Sequence, residues 1–206
     1  MLKSPENLGI IHFIGIGGIG MSGIAEILHQ SGYYVQGSDI NESNNTNRLH
    51  KLGIKVYIGQ KRINVNNAKI IVISTAISET NEEYVAAKKM FLPIVHRSEM
   101  LGELMRLKQS IAIAGTHGKT TTTSLIAKMV EENGMDPTII NGGIISSLNS
   151  NARLGNGEWM VVEADESDGS FAKLNPTAAI ITNIDLEHLD YHKIEDNLEK
   201  AFYNFV

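Results

Sequence analysis

The most constraining stretch is Ile111-Ala112-Ile113-Ala114 followed by Gly115-Thr116-His117-Gly118-Lys119-Thr120-Thr121. An apolar, β-prone run stops at a glycine turn, and Thr121-Thr122-Thr123-Ser124-Leu125-Ile126-Ala127-Lys128 continues with helical spacing. Strand, loop and helix in that order aim several backbone N–H groups and a helix N-terminus at one point. Lys119 adds a positive charge there and the Thr120 hydroxyl can reach a magnesium ion, so the loop reads as a cradle for a nucleoside triphosphate. Its spacing departs from G-x-x-x-x-G-K-[ST], which would need a glycine where this chain has Ile113. The plain alternative is a glycine turn that only joins a strand to a helix.

A second glycine loop lies near the start. Ile10-Ile11-His12-Phe13-Ile14 has the composition of a buried parallel strand, and Gly15-Ile16-Gly17-Gly18-Ile19-Gly20-Met21-Ser22 fits G-x-G-x-x-G at Gly15, Gly17 and Gly20. Ile24, Ile27 and Leu28 keep helical spacing as far as Gly32, and Tyr33 to Gly37 supplies the next strand, completing a βαβ unit. Asp39 ends that strand, where a dinucleotide fold binds a ribose hydroxyl. Such a loop recognises a pyrophosphate and leaves open what is attached to it, so a dinucleotide and another phosphorylated nucleotide both fit. Glycines used only for close helix-to-strand packing are the third reading.

The alternation continues with a helix around Asn47–Leu52, a strand at Lys55–Ile58 and a buried strand at Lys69–Ile73. That last strand ends in Ser74-Thr75-Ala76-Ile77-Ser78, small and polar residues at the end of a strand where open α/β sheets hold ligands. Thr80 and Glu83 are spaced as a capping box for a helix running to Met90. After a strand at Pro93–Val95 comes His96-Arg97-Ser98-Glu99, then a helix with Met100, Leu101, Leu104 and Met105 on its apolar side. Arg97 could hold a phosphate; equally it could be a solvated charge beside a hydrogen-bonded His96. A polar patch at Arg106–Gln109 marks the domain boundary.

Downstream, Thr138–Ile140 is a strand, and Asn149–Gly157, rich in Asn and Gly, reads as a surface loop. Trp159–Val162 is a buried strand ending in Glu163-Ala164-Asp165-Glu166-Ser167-Asp168. Carboxylates so close repel unless cations neutralise them, and a magnesium ion shared with Thr120 would do so. The alternative is an acidic loop capping a helix through Asp165 or Ser167. Ala178–Ile181 is a further strand, followed by Thr182-Asn183-Ile184-Asp185-Leu186-Glu187-His188-Leu189-Asp190. There His188 either binds a second metal ion with nearby acids or is a hydrogen-bonded loop residue. Glu195–Phe205 is an amphipathic helix.

Bulk properties exclude several classes. A net charge of −5 argues against a general nucleic-acid binder, which needs a basic face. The absence of cysteine removes disulfides and thiolate chemistry. No apolar run is long enough to span a bilayer, and Met1–Asn7 lacks a signal-peptide hydrophobic region, which together read as a cytoplasmic chain without membrane insertion. Oligomeric state leaves no trace in the pattern.

In their order along the chain these motifs resemble the Mur ligase family, the ATP-dependent amide-bond ligases of peptidoglycan precursor synthesis. The resemblance rests on Gly15 to Ser22, Gly37-Ser38-Asp39, His96 to Leu101, Gly115 to Thr121, Glu163 to Asp168 and Thr182 to Asp190. It implies an α/β fold: a Rossmann-like parallel-sheet UDP-sugar-binding domain over residues 1–107, then the first part of a P-loop ATP-binding α/β domain over residues 108–206. On the same resemblance the third domain of the family is expected to be missing from these residues. It implies ATP and magnesium as co-substrate and cofactor, UDP-N-acetylmuramate and L-alanine as the substrates joined, and an acyl phosphate as the intermediate. On this resemblance Gly115, Thr116, His117, Gly118, Lys119, Thr120 and Thr121 hold ATP, with Lys119 on the β- and γ-phosphates. Thr120 and Glu163 ligate one magnesium ion and His188 a second, making Lys119 and His188 the expected catalytic residues. Gly15, Gly17, Gly18, Gly20, Met21, Ser22, Asp39, Thr75, Ala76, Ile77, His96 and Arg97 form the expected UDP-sugar site, and Asp165 and Asp168 are supporting charges. The nicotinamide reading of the first loop drops out. By the same resemblance the residues that grip adenine, and much of the amino-acid pocket, are expected to fall beyond Val206, so the chain alone is expected not to turn over. Two other readings stand beside this one: a ligase that recycles a tripeptide onto the same UDP-sugar, and a non-catalytic UDP-sugar-binding module.

Overall fold

Burial of both alternating faces of β1 (Ile10–Ile14) explains its nearly unbroken apolar sequence, since a parallel strand covered on two sides has no solvent face to make polar. The computed structural model describes residues 4–145, 149–166, 169–185 and 195–206. The chain divides into two units, Met1–Met100 and Leu101–Val206.

In the first unit, α1 (Pro5–Leu8) precedes β1, and α2 (Ile19–Gln30), β2 (Val35–Asp39), α3 (Asn44–Lys51), β3 (Lys55–Ile58), β4 (Ala68–Ile73), α4 (Glu82–Lys89) and β5 (Ile94–His96) follow. The strands run in the order β3-β2-β1-β4-β5, with every neighbouring pair parallel. Chain order reverses between β1 and β4, so the Gly15 loop after β1 and the Ser74–Ser78 segment after β4 flank the crevice that this topology creates. Ile14, Val65, Ala68, Ile71 and Ala87 form an apolar cluster between sheet and α4. α5 (Arg97–Met105) runs across the division, with Met100, Leu101, Leu104 and Met105 buried as its spacing predicts.

The second unit contains β6 (Gln109–Ala114), α6 (Lys119–Glu132), β7 (Thr138–Ile145), β8 (Ser150–Arg153), β9 (Trp159–Glu163), β10 (Ala178–Ile181) and α7 (Glu195–Phe205). Its sheet order is β10-β6-β9-β7-β8, parallel except for β8 at the edge. The architecture is thus α/β, with one parallel and one mixed sheet. Among the described residues no helix is long and apolar enough to cross a membrane.

Three local expectations give way to tertiary context. The Asn- and Gly-rich stretch 149–157 is not simply a surface loop: Ser150–Arg153 pairs antiparallel with β7, and Ser150, Asn151 and Ala152 are buried. Its polar side chains satisfy backbone instead of solvent, Asn151 donating to the Asn141 carbonyl and Ser150 Oγ accepting from the Ala152 N–H. The strand predicted at Tyr33–Gly37 is shifted to Val35–Asp39 by its register with β1. Nor do Thr80 and Glu83 make a capping box; Asn81 caps α4, accepting from the Glu83 and Tyr84 N–H groups.

Glu83 turns inward instead. It is fully buried, as are His12 in the middle of β1 and Ser38 in β2. Its Oε2 takes the Ser38 hydroxyl at 2.5 Å and faces His12 Nε2 at 3.1 Å, while Oε1 accepts from Asn64 Nδ2 at 2.6 Å. Gln36 Nε2 lies 3.1 Å from His12 Nδ1 and 2.9 Å from the Asn64 carbonyl. With Gln36 donating to Nδ1, the His12 Nε2–H points at the carboxylate. Each polar group in this cluster has a partner, which is what a dry interior requires.

Candidate functional site

Gly118 takes the left-handed conformation, φ 78°, and is the N-cap of α6, with no side chain capping the helix. α2 likewise starts at a glycine, Gly18, without a side-chain cap, whereas α3 and α4 are capped by Ser43 and Asn81. The two helices that follow glycine loops therefore leave their first-turn N–H groups and the positive end of the helix dipole for an outside acceptor, the arrangement that binds phosphate.

In the second unit the loop is braced from the segment after β10. Gly115, at φ 133°, lies against Thr182 and Asn183, and any side chain there would collide with the Thr182 hydroxyl. Thr116 N donates to the Asn183 carbonyl at 3.2 Å, and Thr116 Oγ1 accepts from the Asp185 N–H at 2.9 Å. His117 N donates to Asn183 Oδ1 at 3.0 Å, and Thr182 Oγ1 donates to the His117 carbonyl at 2.6 Å. Thr116 is thus occupied in holding the loop, while the His117 side chain is exposed and lies 3.7 Å from Asp185. Lys119 Nζ folds back onto the Gly115 and Thr116 carbonyls at 2.7 and 3.2 Å and meets Glu166 Oε1 at 2.8 Å. Glu166 is nearly fully buried; burial raises its carboxyl above the usual carboxylate range, and the Lys119 hydrogen bond opposes that rise.

Thr120 and Glu163 border one short segment. A Cβ on Gly142 would overlap the Glu163 carboxylate, and one on Gly143 would lie 3.0 Å from Thr120 Cγ2. Glu163 Oε2 accepts from the Gly142 N–H at 2.8 Å, which aims the carboxylate. Asn141 Nδ2, just before this segment, donates to Ser124 Oγ at 2.8 Å and ties the middle of β7 to α6. A hydroxyl and a carboxylate are hard oxygen donors of the kind magnesium takes, so this pair fits the ion. Among the described residues no group of three metal-binding side chains occurs. His188, Ser167 and Asp168 lie outside the described residues.

In the first unit, Gly17 packs against Asp39, Ser43 and Thr46, with no room for a side chain. Asp39 Oδ2 accepts from Gly17 N at 2.8 Å and Oδ1 from Ile40 N at 2.8 Å, so this carboxylate shapes the glycine loop. Asn45 Nδ2 adds a bond to the Gly17 carbonyl at 2.8 Å. Gly15 neighbours Ile77, and the Arg97 guanidinium approaches Gly20, Nη1 lying 3.0 Å from where a Cβ would stand. The structure therefore gathers Gly15, Gly17, Gly18, Gly20, Ile77 and Arg97, with Thr75 and Ala76 exposed on the β4–α4 connection. Met21 and Ser22 are buried in α2, where Ser22 Oγ donates to the Ile19 carbonyl and the Met21 side chain lies against Gly18 of the loop. His96 sits at the end of β5 with Nδ1 2.8 Å from Ser98 Oγ.

Residues 10–109 match the profile of the Mur ligase family, catalytic domain, and residues 113–206 match the Mur ligase middle domain. The chain belongs to the Mur ligase family. A relative named UDP-N-acetylmuramate–L-alanine ligase, from Parvibaculum lavamentivorans, is 61% identical over 206 residues, all of this chain and 42% of that protein. Among solved structures, the UDP-N-acetylmuramate-alanine ligase of Thermotoga maritima has a TM-score of 0.90 at 34% identity, over 96% of this chain and 46% of that one. The UDP-N-acetylmuramate:L-alanyl-gamma-D-glutamyl-meso-diaminopimelate ligase of Neisseria meningitides has a TM-score of 0.89 at 29% identity, over 97% and 68%. The chain spans less than half the length of the curated relatives it matches.

Within this Mur ligase chain, sequence reasoning missed the residues that act on other residues. Asn183, Thr182, Asn141 and Asn45 brace the loops through backbone groups, and Glu166 engages the loop lysine. The available signal was position: Thr182, Asn183 and Glu166 lie just beyond a strand end, Asn45 lies in the first turn of the adjoining helix, and Asn141 in β7 immediately precedes two glycines.

Proposed function

We propose that the first unit holds a UDP-sugar and the second the phosphates of ATP in a cytoplasmic ligase that joins L-alanine to UDP-N-acetylmuramate during peptidoglycan precursor synthesis. The working division is residues 1–107 for the sugar nucleotide and 108–206 for ATP. The observation that carries this reading is the uncapped start of α6 at Gly118, with Lys119 and Thr120 in its first turn and Glu163 beside the neighbouring glycines. Relatives with that activity in their names support the choice of substrates.

A carboxylate resists attack by an amine because an oxide dianion or hydroxide is a poor leaving group. Transfer of the γ-phosphoryl group from ATP to the muramyl carboxylate gives an acyl phosphate and ADP. The alanine amine, after losing a proton, attacks the acyl carbon, and collapse of the tetrahedral intermediate forms the amide and releases phosphate. Phosphoryl transfer asks for alignment and charge neutralisation more than for a protein nucleophile. The first-turn amides of α6 hold phosphate oxygens, and Lys119 balances their charge once it leaves Glu166. Thr120 and Glu163 would hold magnesium, which neutralises charge on the transferring group. The Gly15 loop and the start of α2 take the pyrophosphate of the UDP-sugar, with Arg97 as a further cation.

The test is calorimetric titration with magnesium–ATP and, separately, with UDP-N-acetylmuramate. Lys119→Ala is expected to weaken ATP binding at least tenfold, about 1.4 kcal/mol, and leave UDP-sugar binding unchanged. Equal loss of both would sink the two-site reading, and UDP-sugar binding without any triphosphate binding would favour a binding module instead.

A further inference from the structure

A lysine ammonium has three hydrogens to donate. In Lys119 they are matched by three acceptors, the carbonyls of Gly115 and Thr116 and Glu166 Oε1. A phosphate oxygen can reach this ammonium only by displacing one of them. Two are neutral and belong to the loop that would wrap the phosphates. The third is a charge-assisted bond to a carboxylate 1% exposed, made by a lysine side chain 14% exposed, and such bonds are stronger than neutral ones. Glu166 comes from the segment after β9, three residues beyond Glu163, so it approaches the loop from the neighbouring strand of the same sheet.

We propose that Glu166 is a latch, a positioning residue that holds Lys119 folded onto the phosphate loop until a triphosphate displaces it. The inference deepens the reading of this loop as an ATP site and rests on it. Binding then includes an exchange: the ammonium gives up a buried carboxylate and gains phosphate oxygens, and only the difference between the two appears as affinity. Before nucleotide arrives, the latch spares the loop an uncompensated, partly buried cation. The consequence runs against ordinary expectation for a buried ion pair at a site. Weakening the latch should tighten binding.

Magnesium–ATP is titrated calorimetrically into the wild-type chain, Glu166→Gln, Lys119→Ala and the double variant, with a melting curve to confirm that each folds. Glu166→Gln keeps the shape and removes the charge, and its Kd is expected to fall about tenfold, the scale of one charge-assisted hydrogen bond. The gain must disappear in the Lys119→Ala background, because the latch acts only through that lysine. A gain that persists without Lys119 reports a general change in potential and overturns the latch. So does a folded Glu166→Gln protein with unchanged or weaker binding while Lys119→Ala still loses affinity; that outcome leaves the ATP-site reading intact. Absence of triphosphate binding by the wild-type chain overturns both. Should Glu166→Gln fail to fold, Glu166→Asp withdraws the carboxylate by one methylene and is expected to tighten binding about threefold; no tightening in a folded Glu166→Asp protein refutes the latch.

Discussion

Glu83→Ala removes a fully buried carboxylate that Ser38 and Asn64 donate to and that His12 Nε2 faces at 3.1 Å. Each abandoned donor costs about 1–3 kcal/mol when water cannot replace the partner. Rotation of the Ser38 hydroxyl recovers part of that, so the donors left on Asn64 and His12 put the net loss at about 3–5 kcal/mol. Against a total stability of roughly 5–15 kcal/mol, such a loss is large. The residue sits in the first turn of α4, which follows the Thr75–Ile77 connection, so the same change loosens that edge of the candidate UDP-sugar site. Amide hydrogen exchange is the suitable assay, because it reads opening strand by strand. Amides of β1, β2 and α4 should exchange roughly 10² to 10⁴ times faster, at about 1.4 kcal/mol per factor of ten. Glu82→Ala is the control: an exposed acid one residue earlier in the same helix turn, expected to change stability by less than about 0.5 kcal/mol. If the two variants exchange alike, the carboxylate does not tie α4 to the sheet and the reasoning fails.

That cluster also marks the limit of reading this sequence. Apolar periodicity located β1, β4, β6 and β9 because burial on both faces of a parallel strand leaves an unmistakable run, as in Ile111–Ala114, and it located the edge strand β10 from a similar run that is only partly buried. The glycine loops were legible because positive φ and close approach can be met by few residues, Gly115 against Thr182 being the clearest case. His12 and Glu83 were not legible, being 71 positions apart and each ordinary alone. The Thr80–Glu83 spacing even favoured a local bond that the buried network outcompetes. Ser150 and Asn151 misled in the same way, since composition reports what a residue prefers in isolation and β7 supplied partners the sequence could not name. At the candidate site the residues at the uncapped start of α6 followed from the motif, whereas Asn183, Asp185 and Glu166 depended on which strands neighbour β6.

The remaining predictions concern the second unit. Glu163→Ala should raise the magnesium concentration needed for half-maximal ATP binding several-fold, read by calorimetry across a metal series; an unchanged requirement removes Glu163 as a ligand. Stability against pH tests the state of Glu166, whose carboxyl burial raises above the ordinary value of 4.5. Just above 4.5 the unfolded chain has lost this proton and the folded chain keeps it, so the unfolded state binds fewer protons and stability falls as pH rises. The contribution is fully present below the unfolded value and gone above the folded one. Asp136 acts oppositely: the Asn156 N–H holds its carboxyl low, so its contribution is present above the unfolded value and lost as pH falls. The wild-type curve sums both, and Glu166→Gln isolates one. Urea midpoints followed by Trp159, the single tryptophan, should show wild type losing stability relative to Glu166→Gln as pH rises from about 4 to about 7. A difference that grows in favour of wild type over that range would mean that pairing with Lys119 outweighs burial at this carboxylate.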